Sequence, residues 1–414
     1  FGVLFFLFMH VQLRTRILKL RLKMTRKMAA PCLTQNEAVT DRLAKDDPSQ
    51  FRLAGYMNRW AGFPVYENTS VCHFPLGEDK FEALKRELRS AKEFIFMEYF
   101  IIERGKMWNQ ILEILEQKVK EGVEVRVMYD GMCSLILLPY GYPKELEKKG
   151  IRCKMFSPIK PTLSTYQNNR DHRKIVVIDG TTGFVGGFNI GREYISKDPQ
   201  FGYWRDTHLK IRGEAAISLQ IRFALDWNYA TGENLFKDLS YFGDEAEAAR
   251  RRLMGEGNGR IWPQDQTDAE QVYMQIITSG PDTREPHIRN NYLELFHKAK
   301  RHIYIQTPYF IPDDAILSAL KIAASSGVDV RLMIPCKPDH PFVYWATCSY
   351  AGELLDYGAR CYVYENGFLH SKGVMVDGQV SCYGTANMDI RSFELNFEVN
   401  ATIYDQKTTE RLEK

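Results

Sequence analysis

His172-Arg173-Lys174 and His370-Ser371-Lys372 open two stretches that carry the same residue types at the same spacing. In the first, Asp179 follows Lys174, and Gly186 and Asn189 come after it. In the second, Asp377, Gly384 and Asn387 repeat the intervals. A lone His-x-Lys arises often by chance, whereas two copies in register with Asp, Gly and Asn do not. Two imidazoles, two ammonium groups and two carboxamides suit a phosphodiester. Lys174, Lys372, Asn189 and Asn387 would stabilise the charge that builds on phosphoryl oxygens. One of His172 and His370 would attack phosphorus, and the other would protonate the departing alcohol. This chemistry calls for no cofactor, and the sequence offers no obvious metal-ligand cluster.

Placing these groups requires particular elements. Strand alternation puts His172 with Lys174, and His370 with Lys372, on one face. Turns at Asp179-Gly180 and Asp377-Gly378 would return the chain and bring Asn189 and Asn387 alongside. Asp179 and Asp377, at the far strand ends, read as turn or salt-bridge residues. A catalytic imidazole needs an orienting partner. Asp206 and Glu398 follow the two motifs at comparable places, and each is a candidate to hold an Nδ1 proton. Glu193 and Glu394 compete for that task, Glu193 reading better as a surface ion pair.

The repetition extends upstream. Ala91–Phe100 matches Ala299–Phe310, each an Ala-Lys helix end running into an apolar strand. Helical spacing follows over 111–119 and 315–324, with breaks at Gly122 and Gly327. Strands are predicted over 123–128 and 328–334. Glu145-Leu146, Gly150 and Arg152-Cys153 recur as Glu353-Leu354, Gly358 and Arg360-Cys361. Such repetition predicts an α/β fold of two similar halves, residues 55–255 and 271–414, with largely parallel connections, packed about a pseudo-two-fold axis. A polar stretch over 255–271 reads as a linker. Residues 217–227 read as a helix, and the aromatics of Asp226-Trp227-Asn228-Tyr229 as packing.

A composition of 44% hydrophobic and 26% charged residues is that of a globular chain. A net charge of +3 is too small to mark a nucleic-acid binder. The basic residues crowd one end: Arg14 to Lys27 follow the apolar run Phe1 to Val11. That run is shorter than the roughly 20 residues a spanning helix needs. Residues 1–30 therefore read as a membrane-associated segment, the end of a transmembrane helix with its basic cytoplasmic flank. The chain starts with Phe, which suggests that more precedes it. Scattered cysteines without a CxxC pair fit reduced thiols in a cytoplasmic compartment.

The paired pattern HxKx4Dx6G(G/S/T)xN resembles the phospholipase D superfamily. Asn169–Gly180, Gly384–Glu398, Ser279–Asp282 and Thr307–Pro312 are similar to the bacterial cardiolipin synthase family within it. Thr385 stands where Ser or Gly is common. The resemblance covers nearly everything from Gly55 onward. It implies two phospholipase D-type halves and transfer of a phosphatidyl group between two phosphatidylglycerol molecules, with release of glycerol. It further implies a phosphohistidine intermediate on His172, an anionic phospholipid and a membrane as partners, and a cell-membrane location with the catalytic part cytoplasmic. The same motifs also serve a phosphodiesterase that hydrolyses phospholipid or, less in keeping with the charge, nucleic acid.

Overall fold

A computed structural model describes residues 27–133, 136–159, 168–198, 200–243 and 271–414. The expected membrane segment, apart from its last residues, and the linker over 255–270 lie outside the described residues. Among the described residues no helix is long and apolar enough to cross a membrane.

The first half supplies β1 (Tyr66–Leu76), β2 (Phe94–Tyr99), β3 (Glu124–Asp130), β4 (Arg152–Phe156), β5 (Lys174–Ile178), β6 (Thr182–Gly186) and β7 (Trp204–Gly213). The second supplies β8 (Gln271–Ser279), β9 (His302–Gln306), β10 (Phe310–Ile311), β11 (Asp329–Pro335) and β12 (Arg360–Tyr364). It continues with β13 (Phe368–Leu369), β14 (Gly373–Val376), β15 (Val380–Gly384), β16 (Met388–Asp389) and β17 (Glu398–Tyr404). One sheet runs β12-β11-β9-β14-β15-β17-β8-β1-β7-β6-β5-β2-β3-β4, with β13 added beside β7. Its order is the same from either end, since β4-β3-β2-β5-β6-β7-β1 repeats β12-β11-β9-β14-β15-β17-β8. The expected parallel pairing holds for the outer trio of each half, β2-β3-β4 and β9-β11-β12, and for the short pairs β13-β7 and β10-β16. Inward of the trios the hairpins β5-β6 and β14-β15 reverse the chain, and the pairing becomes antiparallel.

Both hairpin turns are built alike. Asp179 and Gly180 have φ of 50° and 67°, and Asp377 and Gly378 have φ of 56° and 68°. This left-handed pair matches the twist of the flanking strands, and Asp and Gly tolerate it. The Asp179 carboxylate accepts hydrogen bonds from the backbone N–H groups of Lys92, Glu93 and Phe94 at 2.9–3.0 Å. Asp377 does the same for Lys300, Arg301 and His302 at 2.7–2.9 Å. Each aspartate thus pins the hairpin to the start of the neighbouring strand. Asp179→Ala is expected to lower unfolding free energy by about 2–4 kcal/mol, because three donors lose a charged acceptor. Urea unfolding would measure this, and an unchanged midpoint would contradict it.

Among the described residues, three large cores hold the architecture. One lies within the first half around Trp108, Tyr129 and Leu84. Another lies in the second half and includes Val39, Leu43, Leu53 and Met57 beside Tyr292, Leu295 and Phe296. The helices Glu37–Asp46 and Pro48–Ala61, which precede β1 in sequence, therefore pack on the second half, although the first half is expected from the sequence to start at residue 55. A third core joins the halves, with Phe96, Ile175 and Phe223 among the same buried residues as Met274, Met375 and Val399. The helix Ala216–Thr231 is buried along most of its length, and Trp227 stacks near Phe223 as packing, as expected.

Candidate active site

His172 and His370 line one cavity of about 640 Å³, together with Asn189 and Asn387. Both histidines lie just ahead of their strands, since β5 begins at Lys174 and β14 at Gly373. The reason is that the segment before each hairpin crosses to the other half. Asp171 bridges Phe397, and the His172 N–H donates to the Phe397 carbonyl at 3.0 Å. Symmetrically, β13 pairs with β7, and the His370 N–H donates to the Arg205 carbonyl at 2.7 Å.

Those crossings set the partners of the rings. Nδ1 of His172 lies 2.9 and 3.0 Å from the two oxygens of Glu398. Nδ1 of His370 lies 2.6 Å from Asp206 Oδ2. Each imidazole is therefore held by a carboxylate of the opposite half. A proton shared with the carboxylate at Nδ1 leaves the Nε2 lone pair free. Glu398 is itself fixed by the Thr385 hydroxyl at 2.6 Å and by Asn396 Nδ2 at 3.3 Å. At the equivalent of Thr385 the first half has Gly187, where a Cβ would come within 2.0 Å of Asp206 Oδ1. Glycine at this position makes room for the aspartate.

Burial dominates the electrostatics. It lowers the pKa of His172, with Lys174 adding to the effect and Glu398 opposing it. Burial and Lys372 bring His370 down to about 4. Burial works against the Asp206 carboxylate, but Lys372 and His370 outweigh it and hold its pKa below the usual range. Glu398 is likewise lowered by His172 and Lys174 against its own burial. The lysines are pushed down by burial, Lys174 to about 7 and Lys372 to about 8. Neither ammonium lines the cavity. Lys174 Nζ donates to the His172 carbonyl at 2.5 Å, and Lys372 Nζ donates to the His370 carbonyl and lies 2.7 Å from its Nδ1. Both lysines are thus buried against the backbone of the histidines they follow.

Asn189 is oriented by its neighbours: its Oδ1 accepts from the Ile101 N–H at 3.0 Å, and its Nδ2 donates to the Tyr194 hydroxyl at 2.8 Å. One amide hydrogen is left for a ligand. Asp179 and Asp377 are in the hairpin turns, bound to backbone. Glu394, a candidate ring partner, instead lies 3.9 Å from Arg289 at the exposed end of the helix Ile390–Glu394. The Nδ1 positions are taken by Glu398 and Asp206, and Glu193 sits near Gly191. Among the described residues, no group of three His, Cys, Asp or Glu is arranged to hold a metal ion.

Other contributors carried no motif signal. His370 lies among Trp204, Phe368 and Tyr194, with ring centroids 5.0, 6.0 and 6.4 Å away. Phe100 lies edge-on to His172 at 5.1 Å. Beneath His172, buried Arg173 pairs with Asp171 at 3.1 Å and Asp226 at 3.2 Å, and lies 3.5 Å from Glu98. Burial, reinforced by Asp171 and Asp226, raises the Glu98 carboxyl well above its ordinary pKa. In the second half the corresponding contact is neutral, with Ser371 donating to Gln306 Oε1 at 2.8 Å.

Comparison with known proteins places this arrangement. The family described as "Cardiolipin synthase, PLD-like domain" matches residues 84–202 and again 292–414. The cardiolipin synthase of Oceanobacillus iheyensis is 44% identical over 347 residues, which are 84% of this chain and 68% of that protein. The major cardiolipin synthase ClsA of Bacillus subtilis is 45% identical over 358 residues, 86% of this chain and 69% of that one. Among solved structures, the phosphatidylserine synthase of Haemophilus influenzae Rd KW20 superposes with a TM-score of 0.63 over 88% of this chain and 89% of its own. Its 16% identity makes this a likeness of fold alone.

Proposed function

Because the chain belongs to the family of PLD-like cardiolipin synthases, we propose that it transfers a phosphatidyl group from one phosphatidylglycerol to another, releasing glycerol. The observation that carries the reading is the pair of histidines on one cavity, each with Nδ1 on a carboxylate of the other half. The two halves are taken to be related by a pseudo-two-fold axis that passes through this cavity. The protein would work at the cell membrane on an anionic phospholipid, held there by its N-terminal segment, with the catalytic part cytoplasmic.

His172 Nε2 attacks phosphorus of the first lipid. The bond from phosphorus to the glycerol headgroup breaks, and His370 donates a proton to the departing oxygen. His370 is neutral at pH 7 in the empty site, and the negative phosphodiester beside it offsets Lys372 and favours the proton. Asp206 stabilises the imidazolium, as Glu398 does for His172. The second lipid's glycerol hydroxyl then gives its proton to His370 and attacks the phosphatidyl-histidine. The phosphorus–nitrogen bond breaks and cardiolipin leaves. Lys174 and Lys372 act on the phosphoryl oxygens from behind the cavity lining, and Asn189 and Asn387 act from within it.

Incubating the full-length chain in membranes with labelled phosphatidylglycerol tests the reading. Labelled cardiolipin with free glycerol is expected. Phosphatidic acid as the sole lipid product would make the protein a hydrolase instead, the second reading that these motifs allow. With charge supplied by lysines, chelation by EDTA is expected to leave the rate unchanged, and loss restored by a single metal ion would contradict the scheme.

The lysine pKa values fix a pH dependence. In the empty site Lys174 and Lys372 lose their protons as pH rises through about 7 and about 8. An anionic phosphate binds the ammonium forms, so binding takes up protons above pH 7. KM for phosphatidylglycerol is expected to climb as pH rises from about 7 to about 9, approaching about tenfold per pH unit for each lysine. Folding stability should move the opposite way. The unfolded lysines, with ordinary pKa values near 10.5, hold more protons than the folded ones between these limits, so stability rises with pH there. A KM that falls between pH 7 and 9 would rule out this role for the lysines.

A further inference from the structure

The helix Pro341–Leu355 is unusual for a surface helix. From Pro341 to Gly352 it has no charged residue, yet it lies at the protein surface. Phe342 is 80% exposed and Trp345 63% exposed, and the two rings meet edge to face with centroids 5.5 Å apart. Val343, between them, lines the cavity that holds His172 and His370. Surface helices normally present polar residues to water.

A second apolar lip stands in the corresponding place of the other half. The helix follows β11, the middle strand of the second parallel trio. The loop after β3, the middle strand of the first trio, carries Ile136 at 90% exposure and Tyr140 at 67%. Met132, at the base of this loop, is half-exposed and also lines the cavity. Apolar surface thus continues from the cavity wall onto both rims, at the carboxyl ends of equivalent strands. Arg391, exposed and cavity-lining, stands at the same mouth.

The geometry points to a membrane-docking face: the Pro341–Leu355 helix and residues 136–140 after β3 insert Phe342, Trp345 and Ile136 among lipid acyl chains, so that a phosphate enters between the two lips without leaving the bilayer surface. This rests on the proposed lipid substrate. A phospholipid whose phosphorus reaches His172 must leave its acyl chains somewhere, and an apolar surface continuous with the site can take them. Trp and Phe beside a cationic Arg are the composition that settles at the headgroup boundary. A second protein seated on these lips would cover the mouth and exclude substrate, so a bilayer is the occupant that leaves the site usable.

The test uses the full chain reconstituted with phosphatidylglycerol vesicles, compared with Phe342→Glu/Trp345→Glu and Ile136→Glu variants. None of the three residues lines the cavity, so cardiolipin formation from short-chain phosphatidylglycerol below its micelle concentration should be unchanged. Formation from vesicles is expected to fall by about tenfold or more, since charged residues are costly at membrane depth. Independently, brominated lipids should quench Trp345 fluorescence, read as the difference between the intact chain and Trp345→Phe. Equal vesicle rates in all variants, or an unquenched Trp345, would overturn the docking face. So would a wild-type chain that dimerises through this surface and separates in the Trp345→Glu variant. Should the variants not fold, as judged by their rate on soluble lipid, the quenching comparison still decides. A wild-type chain that makes no cardiolipin from either lipid defeats the functional reading alone, because quenching reports docking without turnover.

Discussion

His172→Ala is expected to abolish cardiolipin formation, with a loss on the order of 10⁴-fold or more, because in the proposed scheme His172 is the group that forms the covalent intermediate. His370→Ala should be nearly as damaging with the natural lipid, yet for a different reason: the glycerol oxygen then leaves without a proton. The two losses separate when the leaving group is changed. A phosphatidyl ester of p-nitrophenol, whose phenolate needs no proton, should restore the first step in His370→Ala and not in His172→Ala. Rapid quenching with labelled lipid should place the label on the peptide containing His172. Label on the peptide containing His370 would reverse the assignment, and full turnover by His172→Ala would overturn the covalent scheme. The near symmetry of the site makes this experiment necessary, since each histidine has a carboxylate at Nδ1 and a lysine two residues on. The halves differ in what lies beneath: buried ion pairs of Arg173 under His172, and neutral hydrogen bonds of Ser371 under His370.

The repeated motifs and the two Asp-Gly turns were legible because they are local. A turn with two left-handed residues and an apolar strand on either side is specified within a dozen positions, and both hairpins formed where the sequence placed them. The outer helices and parallel strands followed from periodicity in the same way. What depends on docking the halves was not legible. Asp206 and Glu398 stood out as candidate partners, but which ring each would hold is decided by the crossings Asp171–Phe397 and Leu369–Arg205, made across some two hundred residues of chain. Alternation along a strand placed each lysine beside its histidine on a cavity face. Instead the histidines precede the strands and the buried lysines do not line the cavity. Glu98, Arg173 and Asp226 carried no sequence signal, since a buried ion network is written in residues that elsewhere form surface pairs. Likewise, nothing local indicates that the helices over 37–61 pack on the second half.

The crossing of the carboxylates has a kinetic consequence. Glu398→Gln keeps the side-chain volume but removes the charge, and its amide N–H can donate to Nδ1 of His172. The ring would then carry its proton on Nε2, and the nucleophile would lose its lone pair. A wrong-tautomer change of this kind costs about 10⁴-fold in serine proteases, which sets the expected scale here at about 10²–10⁴-fold. Asp206→Asn should cost a similar factor by weakening the acid, because His370 would have no carboxylate to stabilise its protonated form. Position in the chain suggests that Asp206, in the first half, would fail together with His172. The structure predicts the reverse pairing. Asp206→Asn should behave like His370→Ala and regain its first step with the p-nitrophenol ester, whereas Glu398→Gln should behave like His172→Ala and stay inactive on it. Each single variant combined with its ring's alanine variant should add little further loss, because the carboxylate acts through the ring it holds. If Asp206→Asn were rescued no better than Glu398→Gln, the contacts across the halves would be structural only, and the roles of the two histidines would have to rest on some other difference between them.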